Sequence, residues 1–250
     1  METDHNIQAV LELKNITKDF GENHVLKGFN LKLLEGESLV IMGKSGSGKS
    51  VMVKCLVGLM KPDGGTITIK GEDITKMGQR ELDILRTEIG FLFQGSALYD
   101  SMTVRENLEF PLRRNINKIK NFTGTEVLVK EALKDVGLSQ TIDLMPSELS
   151  GGMQRRVALA RALILKPKIM IYDEPTTGLD PITSKEIIEL LRSIQLKYKT
   201  SSIIITHDVD CARVISSRMI LLVDGTNYAE GTFQELSNSD DPQVKAFFKN

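Results

Sequence analysis

Apolar and polar residues alternate in Leu11-Glu12-Leu13-Lys14 and again in Phe29-Asn30-Leu31-Lys32-Leu33, which predicts two early strands with one face buried. A continuous apolar run over 38–42 follows. After it come a Gly-rich turn from Gly43 and a helical stretch over 49–60, closed by Lys61-Pro62-Asp63-Gly64-Gly65. Alternation returns over 66–70, and 89–93 reads as another short strand running into Gln94. From about 95 to 165 apolar residues recur at helical spacing instead, over 104–112, 126–136 and 152–165. Strand-sized runs reappear over 168–173, 201–206 and 218–224, with helical stretches over 182–198 and 209–216 between them. Strands alternating with helices signal βαβ units. The pattern therefore predicts an α/β fold: a mainly parallel sheet, antiparallel β elements at the N-terminal side, and a helical subdomain at about 95–165 inserted into the core.

Composition narrows the function classes. The 32 Lys and Arg nearly cancel the 33 Asp and Glu, leaving a net charge of −1, which disfavours a globally basic nucleic-acid binder. With 26% charged and 41% apolar residues the chain is neither a disordered tail nor collagen-like. Cys55 and Cys211 stand far apart without neighbouring Cys or His, so neither a disulfide scaffold nor a zinc module is expected. No apolar run approaches the roughly 18 residues needed to span a bilayer. The acidic opening Met1-Glu2-Thr3-Asp4-His5 lacks the apolar core of a signal peptide, which leads us to expect a cytoplasmic protein.

Candidate chemistry begins in the Gly-rich turn. Gly43-Lys44-Ser45-Gly46-Ser47-Gly48-Lys49-Ser50 fits G-x-x-x-x-G-K-[ST] between a predicted strand and a predicted helix. Backbone N–H groups in such a loop point inward to cradle phosphates, and the helix after it adds its positive N-terminal dipole. Lys49 is expected to reach the β and γ phosphates of ATP, and the Ser50 hydroxyl to ligate Mg²⁺. Ile169-Met170-Ile171-Tyr172-Asp173-Glu174 is an apolar strand ending in two acids. Asp173 is expected to hold Mg²⁺ and Glu174 to polarise the attacking water. Alone, such a strand end is commonplace; behind a P-loop it gains meaning. Leu149-Ser150-Gly151-Gly152-Met153-Gln154 opens a helix with Ser150 as N-cap, a second terminus suited to anions.

Together these motifs closely resemble the ATP-binding subunits of ABC transporters, and the resemblance covers nearly the whole chain. It implies a single ABC ATP-binding domain over 1–250 with a P-loop NTPase core, and an ATPase that pairs head to tail with a second copy of itself. In such a pair the signature residues Ser150, Gly151, Gly152 and Gln154 of one copy close on the γ-phosphate held by the other. By the same resemblance Gln94 is the Q-loop glutamine that meets Mg²⁺, Asp180 belongs to the D-loop at the dimer interface, and His207 is the switch histidine on the γ-phosphate. Phe20 stands where the family usually has a Tyr stacking on adenine and keeps the π face; Val25 packs beside it. Val51 replaces a second hydroxyl residue, so only its backbone N–H can serve the α-phosphate.

The stretch 93–112, the sequence Gly48-Lys49-Ser50-Val51 and the tail 239–248 are similar to the ATPases of Mla-type lipid transporters, which work with MlaE-like permeases and Mce-domain proteins. That implies phospholipid transport at the cytoplasmic face of the inner membrane, with an integral membrane permease as partner and no nucleic acid. Leu98, Tyr99, Met102 and Leu108 could offer the permease an apolar surface, shared with the core of the helical lobe. Arg113, Arg114, Lys118 and Lys120 form a basic cluster, either a solvated face or a contact for anionic headgroups. Two other readings stand beside this one: the ATPase of an amino-acid-type importer, and a cell-division-type regulator that moves no solute. Only 43 residues follow His207 (250 − 207), which leaves no room for the regulatory domain common in methionine importers.

Overall fold

A computed structural model describes residues 9–115 and 123–249; Lys118 and Lys120 of the basic cluster lie outside them. The chain divides into two compact units, residues 1–86 with 200–250, and residues 87–199.

In the first unit, β1 (Ala9–Phe20) and β2 (Asn23–Leu34) form an antiparallel hairpin. Its other neighbour is β4 (Gly64–Ile69), followed outward by β5 (Glu72–Asp73). The alternation read from the sequence is the buried face here: Leu26, Phe29, Leu31 and Leu33 all point inward. In β1 the inward set skips from Leu13 to Ile16, because Asn15 takes a positive φ of 51° at a register shift. A second sheet contains β3 (Ser38–Met42) flanked in parallel by β8 (Ser201–Ile205) and β9 (Arg218–Val223). Every residue of β3 and β8 is buried, as strands covered on both faces require, which is why each is apolar without alternation after its leading serines. Helices α1 (Lys49–Leu56), α2 (Gln79–Leu85) and α7 (Val209–Ile215) complete this part.

Several outcomes differ from the sequence reading, in which α2, β5 and the helical segments after residue 232 have no counterpart. Helix α1 stops at Leu56 rather than 60, because Gly58 at φ +68° donates its N–H to the Cys55 carbonyl and ends the helix. After β9 the chain also returns in an antiparallel strand, β10 (Thr226–Gly231). The connecting Asp224 and Gly225 both have positive φ, 47° and 78°, the signature of a type I′ hairpin turn. A side chain on Gly225 would lie 2.3 Å from the Val25 carbonyl oxygen, so this turn needs glycine twice over. Helices α8 (Phe233–Ser237) and α9 (Pro242–Phe248) end the unit, held by an edge-on contact of Phe233 with Phe248 and by the Tyr228 hydroxyl donating to Asp241.

The second unit carries the parallel pair β6 (Ile89–Leu92) and β7 (Ile169–Asp173) with helices α3 (Val104–Asn115), α4 (Thr125–Asp135), α5 (Gly151–Leu163) and α6 (Pro181–Tyr198). Gly90 sits inside β6 because a side chain there would strike Met170 Sδ and the Ala162 carbonyl of the helix packed on the strand. Of the four residues read as shared between a permease surface and the lobe core, Leu108 is fully buried and belongs to the core, whereas Tyr99 stays exposed. Among the described residues no helix is long and apolar enough to cross a membrane.

Candidate functional site

In the first unit β3 and β8 run parallel with Ile41 opposite Ile205. Gly43 and His207 each follow two residues later, so they leave the same carboxyl edge at the same level. The loop from Gly43 is built for close approach. A side chain on Gly43 would meet Ser47 Oγ at 2.4 Å and the Leu222 carbonyl at 2.8 Å, and Gly46 and Gly48 have φ of +81° and +102°. Ser47 N–H closes the turn on the Lys44 carbonyl at 3.1 Å, and the buried Ser47 Oγ has no hydrogen-bond partner. Helix α1 starts at Lys49, and no side chain of its N-cap residue caps the first turn. The Lys49 ammonium donates to the carbonyls of Gly43 (2.5 Å) and Lys44 (3.1 Å). Ser45 and Ser50 are exposed, and Val51 is half-buried. A cavity of about 320 Å³ flanks the loop, lined by Lys44 to Ser47, Leu222 to Asp224, and Gln243 and Phe247 of α9.

Phe20 ends β1 at the tip of the hairpin, 48% exposed, with the Lys18 ammonium 5.7 Å from its ring centre. Its ring is available for stacking. His207 is exposed directly after β8.

The second unit repeats the edge geometry. Leu92 lies opposite Tyr172, so Gln94 and Glu174, each two residues further on, leave their strands level with one another. Glu174 is 8% exposed and holds a positive φ of 49°. This conformation is costly for a residue with a side chain and is found chiefly where surrounding contacts enforce it. Its Oε2 accepts from Thr177 Oγ1 at 3.1 Å. Ser150 is exposed and caps α5, its Oγ accepting from Met153 N–H at 3.3 Å. Gly151 is exposed, while Gly152 is buried so closely that a side chain would lie 2.5 Å from Thr183 Cγ2. Gln154 turns back into its own unit and donates to the carbonyls of Pro146 and Leu149. Asp180 caps α6 through the N–H groups of Ile182 and Thr183. Hydrogen bonds from the Thr183 hydroxyl and N–H are the chief reason its carboxyl lies below the usual range.

Sequence reasoning passed over Arg155. It is 4% exposed, and its Nη1 and Nη2 donate to the carbonyls of Phe93 (2.7 Å) and Thr177 (3.2 Å). The signal was present: Gly152, Arg155, Leu159 and Leu163 share one buried stripe at helical spacing, and Arg155 is the charged member. Burial lowers its pKa from the usual guanidinium range.

A Gly-rich loop between strand and helix with a lysine across it, level with a histidine, defines a nucleotide-phosphate site of P-loop type. The residues fit ATP with Mg²⁺: the loop has no room for side chains at Gly43 and leads into a helix whose N-cap residue places no side chain on its first turn, and Ser50 places a hydroxyl at the helix start. The chain belongs to the ABC transporter family, whose domain model matches residues 26–177. It is the ATP-binding subunit of such a transporter and an ATPase, with ATP and Mg²⁺ as its cofactors. It is 38% identical over 242 residues to the intermembrane phospholipid transport ATP-binding protein MlaF of Haemophilus influenzae, covering 97% of this chain and 91% of that one. The methionine import ATP-binding protein MetN of Brucella abortus is 36% identical over 96% of this chain, which spans 64% of MetN. Among solved structures it is similar to the ATP-binding cassette MJ0796, a dimer in a post-hydrolysis state bound to ADP and Pi. That likeness has a TM-score of 0.80 and 36% identity, over 89% of this chain and 98% of the other.

Proposed function

We propose that this ATPase powers phospholipid transport together with a MlaE-like permease, at the cytoplasmic face of the inner membrane. The observation that carries the reading is the extent of likeness to MlaF, which spans nearly all of both chains. The partners that follow are an integral membrane permease, a second copy of this chain, and an Mce-domain lipid-binding protein. A methionine-type importer is the second reading, favoured by the likeness to MetN.

In this reading the N–H groups of residues 43–51 bind the ATP phosphates, with Lys49 between the β and γ groups, and Phe20 stacks on the adenine. Ser50, Gln94 and Asp173 would hold Mg²⁺, which would supply neutralisation of the phosphate charge. Glu174 takes a proton from the water that attacks the γ-phosphorus as the bond to ADP breaks, and His207 contacts the γ-phosphate. The second copy closes the site with Ser150, Gly151, Gly152 and Gln154, and Asp180 lies at the interface between copies. The inward bonds of Gln154 and the capping role of Asp180 give both residues a structural task as well.

The test is to tag the chain, extract membranes in mild detergent, and identify the permease and lipids that copurify. An Mce-domain protein and bound phospholipid are the expected result. A solute permease without lipid would end the lipid reading.

A further inference from the structure

A buried guanidinium that pairs with no carboxylate is costly, and it is retained only where its hydrogen bonds hold something in place. Among the described residues Arg155 forms no ion pair, and its Nε is buried without a partner. Its two bonds run to two backbone carbonyls from distant parts of the second unit. Phe93 directly precedes Gln94, so the Nη1 bond fixes the point where the chain turns from β6 into that glutamine. Thr177 is three residues past Glu174, and its hydroxyl donates to the Glu174 carboxylate while its N–H donates to the Glu174 carbonyl. Arg155 itself sits one turn into α5, the helix that Ser150 caps. One side chain therefore ties the signature helix, the Gln94 turn and the segment that carries Glu174.

We propose that Arg155 is a positioning residue for hydrolysis: by gripping the Phe93 and Thr177 carbonyls it sets the Thr177 hydroxyl, and through it the Glu174 carboxylate, in the geometry needed to take the proton from water. The inference rests on Glu174 being the general base. Geometry explains why arginine stands here. The guanidinium is planar with donors in a fixed fork and can serve two diverging carbonyls at once, whereas an ammonium is a point charge that serves one of them well. Removing the grip takes the guanidinium donor from the Thr177 carbonyl and leaves the Phe93 carbonyl with the Ser96 N–H; it frees Thr177 to turn, and small misplacements at a reacting centre are expensive. The groups proposed to take up ATP first, the P-loop and Phe20, receive no hydrogen bond from Arg155.

The experiment compares the full-length chain with Arg155→Met, Arg155→Lys, Glu174→Gln and the Arg155→Met/Glu174→Gln double variant. Single-turnover phosphate release with Mg·ATP and ATP affinity are measured for each, per folded protomer as counted by thermal melting. Arg155→Met should lower the rate about 10- to 100-fold with ATP affinity held within about 2-fold, and Arg155→Lys should fall between it and wild type. Because the arginine acts through Glu174, adding Arg155→Met to Glu174→Gln should change the residual rate by less than about 2-fold. A purely structural arginine would lower melting and leave the rate per folded protomer intact, which overturns the proposal, as does an additive loss in the double variant. If Arg155→Met does not fold, a wild-type rate in Arg155→Lys overturns it. Near-normal turnover in Glu174→Gln would defeat the base assignment itself and with it the relay; a dead Glu174→Gln beside an active Arg155→Met would defeat the arginine alone.

Discussion

Replacing Gly152 by alanine isolates the packing of α5 on α6 from the chemistry near it. A methyl at Gly152 would lie 2.5 Å from Thr183 Cγ2, whereas carbon atoms rest at about 3.5–4.0 Å. The neighbours must therefore give by more than about 1 Å, an overpacking that costs about 1–3 kcal/mol. Alanine recovers about 0.8–1 kcal/mol of helix propensity relative to glycine. The net expectation for Gly152→Ala is a loss of about 0–2 kcal/mol. That range alone is too broad to decide, but the obstacle is one methyl group. Thr183→Ser removes Cγ2 and keeps the hydroxyl that donates to Asp180. In that background Gly152→Ala should become neutral or stabilising, with a coupling of at least about 1 kcal/mol between the two sites. Urea unfolding of all four proteins, followed by circular dichroism, measures it. Additive effects, or a Gly152→Ala chain more stable than the parent, would refute the claim that this glycine is demanded by contact with Thr183.

Three further expectations follow from separate features. If sites are shared between copies, Lys49→Ala and Ser150→Arg chains should each be inactive alone and regain hydrolysis when mixed, since a mixed dimer keeps one undamaged site; no recovery would contradict head-to-tail pairing. Arg218 donates to the buried Glu37 carboxylate at 2.7 and 3.1 Å, so Arg218→Met should cost about 3 kcal/mol in unfolding, largely recovered by adding Glu37→Gln. A loss under about 1 kcal/mol would show that the pair is better screened than its burial implies. Burial, the largest effect, with the nearby Lys18 opposing it and Asp63 adding to it, pushes the Cys55 thiol up to about 11. In a Cys211→Ala background it should resist a thiolate-seeking reagent at pH 8 until urea is added. Because the folded chain holds this proton more tightly, the associated stability is present below the ordinary thiol range and is lost as pH rises from there to about 11. Labelling of the native chain at the unfolded rate would refute it.

The sequence was most legible where local chemistry and periodicity agree. The runs at 38–42 and 201–205, apolar apart from Ser38, Ser201 and Ser202, are strands covered on both faces, and Gly43 to Ser50 announces its loop by spacing alone. It was least legible where a few polar residues carry the structure. Strand β10 shows no apolar alternation, since its half-buried positions are Thr226, Asn227, Ala229 and Gly231, and only the Asp224-Gly225 pair betrays the hairpin. Gly58 ends α1 although Leu59 and Met60 beyond it continue the apolar pattern of the helix. Asp180 illustrates a different limit: a helix-capping acid and an interface acid have the same sequence appearance, and the cap is what this chain satisfies by itself. Arg155 shows in the sequence only as the charged member of a helical stripe; what it holds is invisible there, because its partners are backbone carbonyls.

Lys49 already lies across its loop, with its ammonium on the carbonyls of Gly43 and Lys44. The cation therefore acts as a placeholder. It holds the ring of the loop in shape before any phosphate arrives, so arrival of the nucleotide exchanges one set of charged hydrogen bonds for another and does not have to order a slack segment. Binding then carries little of the entropic cost of loop folding, and its heat-capacity change should be small for a ligand of that size. A loop of eight residues, three of them glycine, is in this way stiffened by its own lysine.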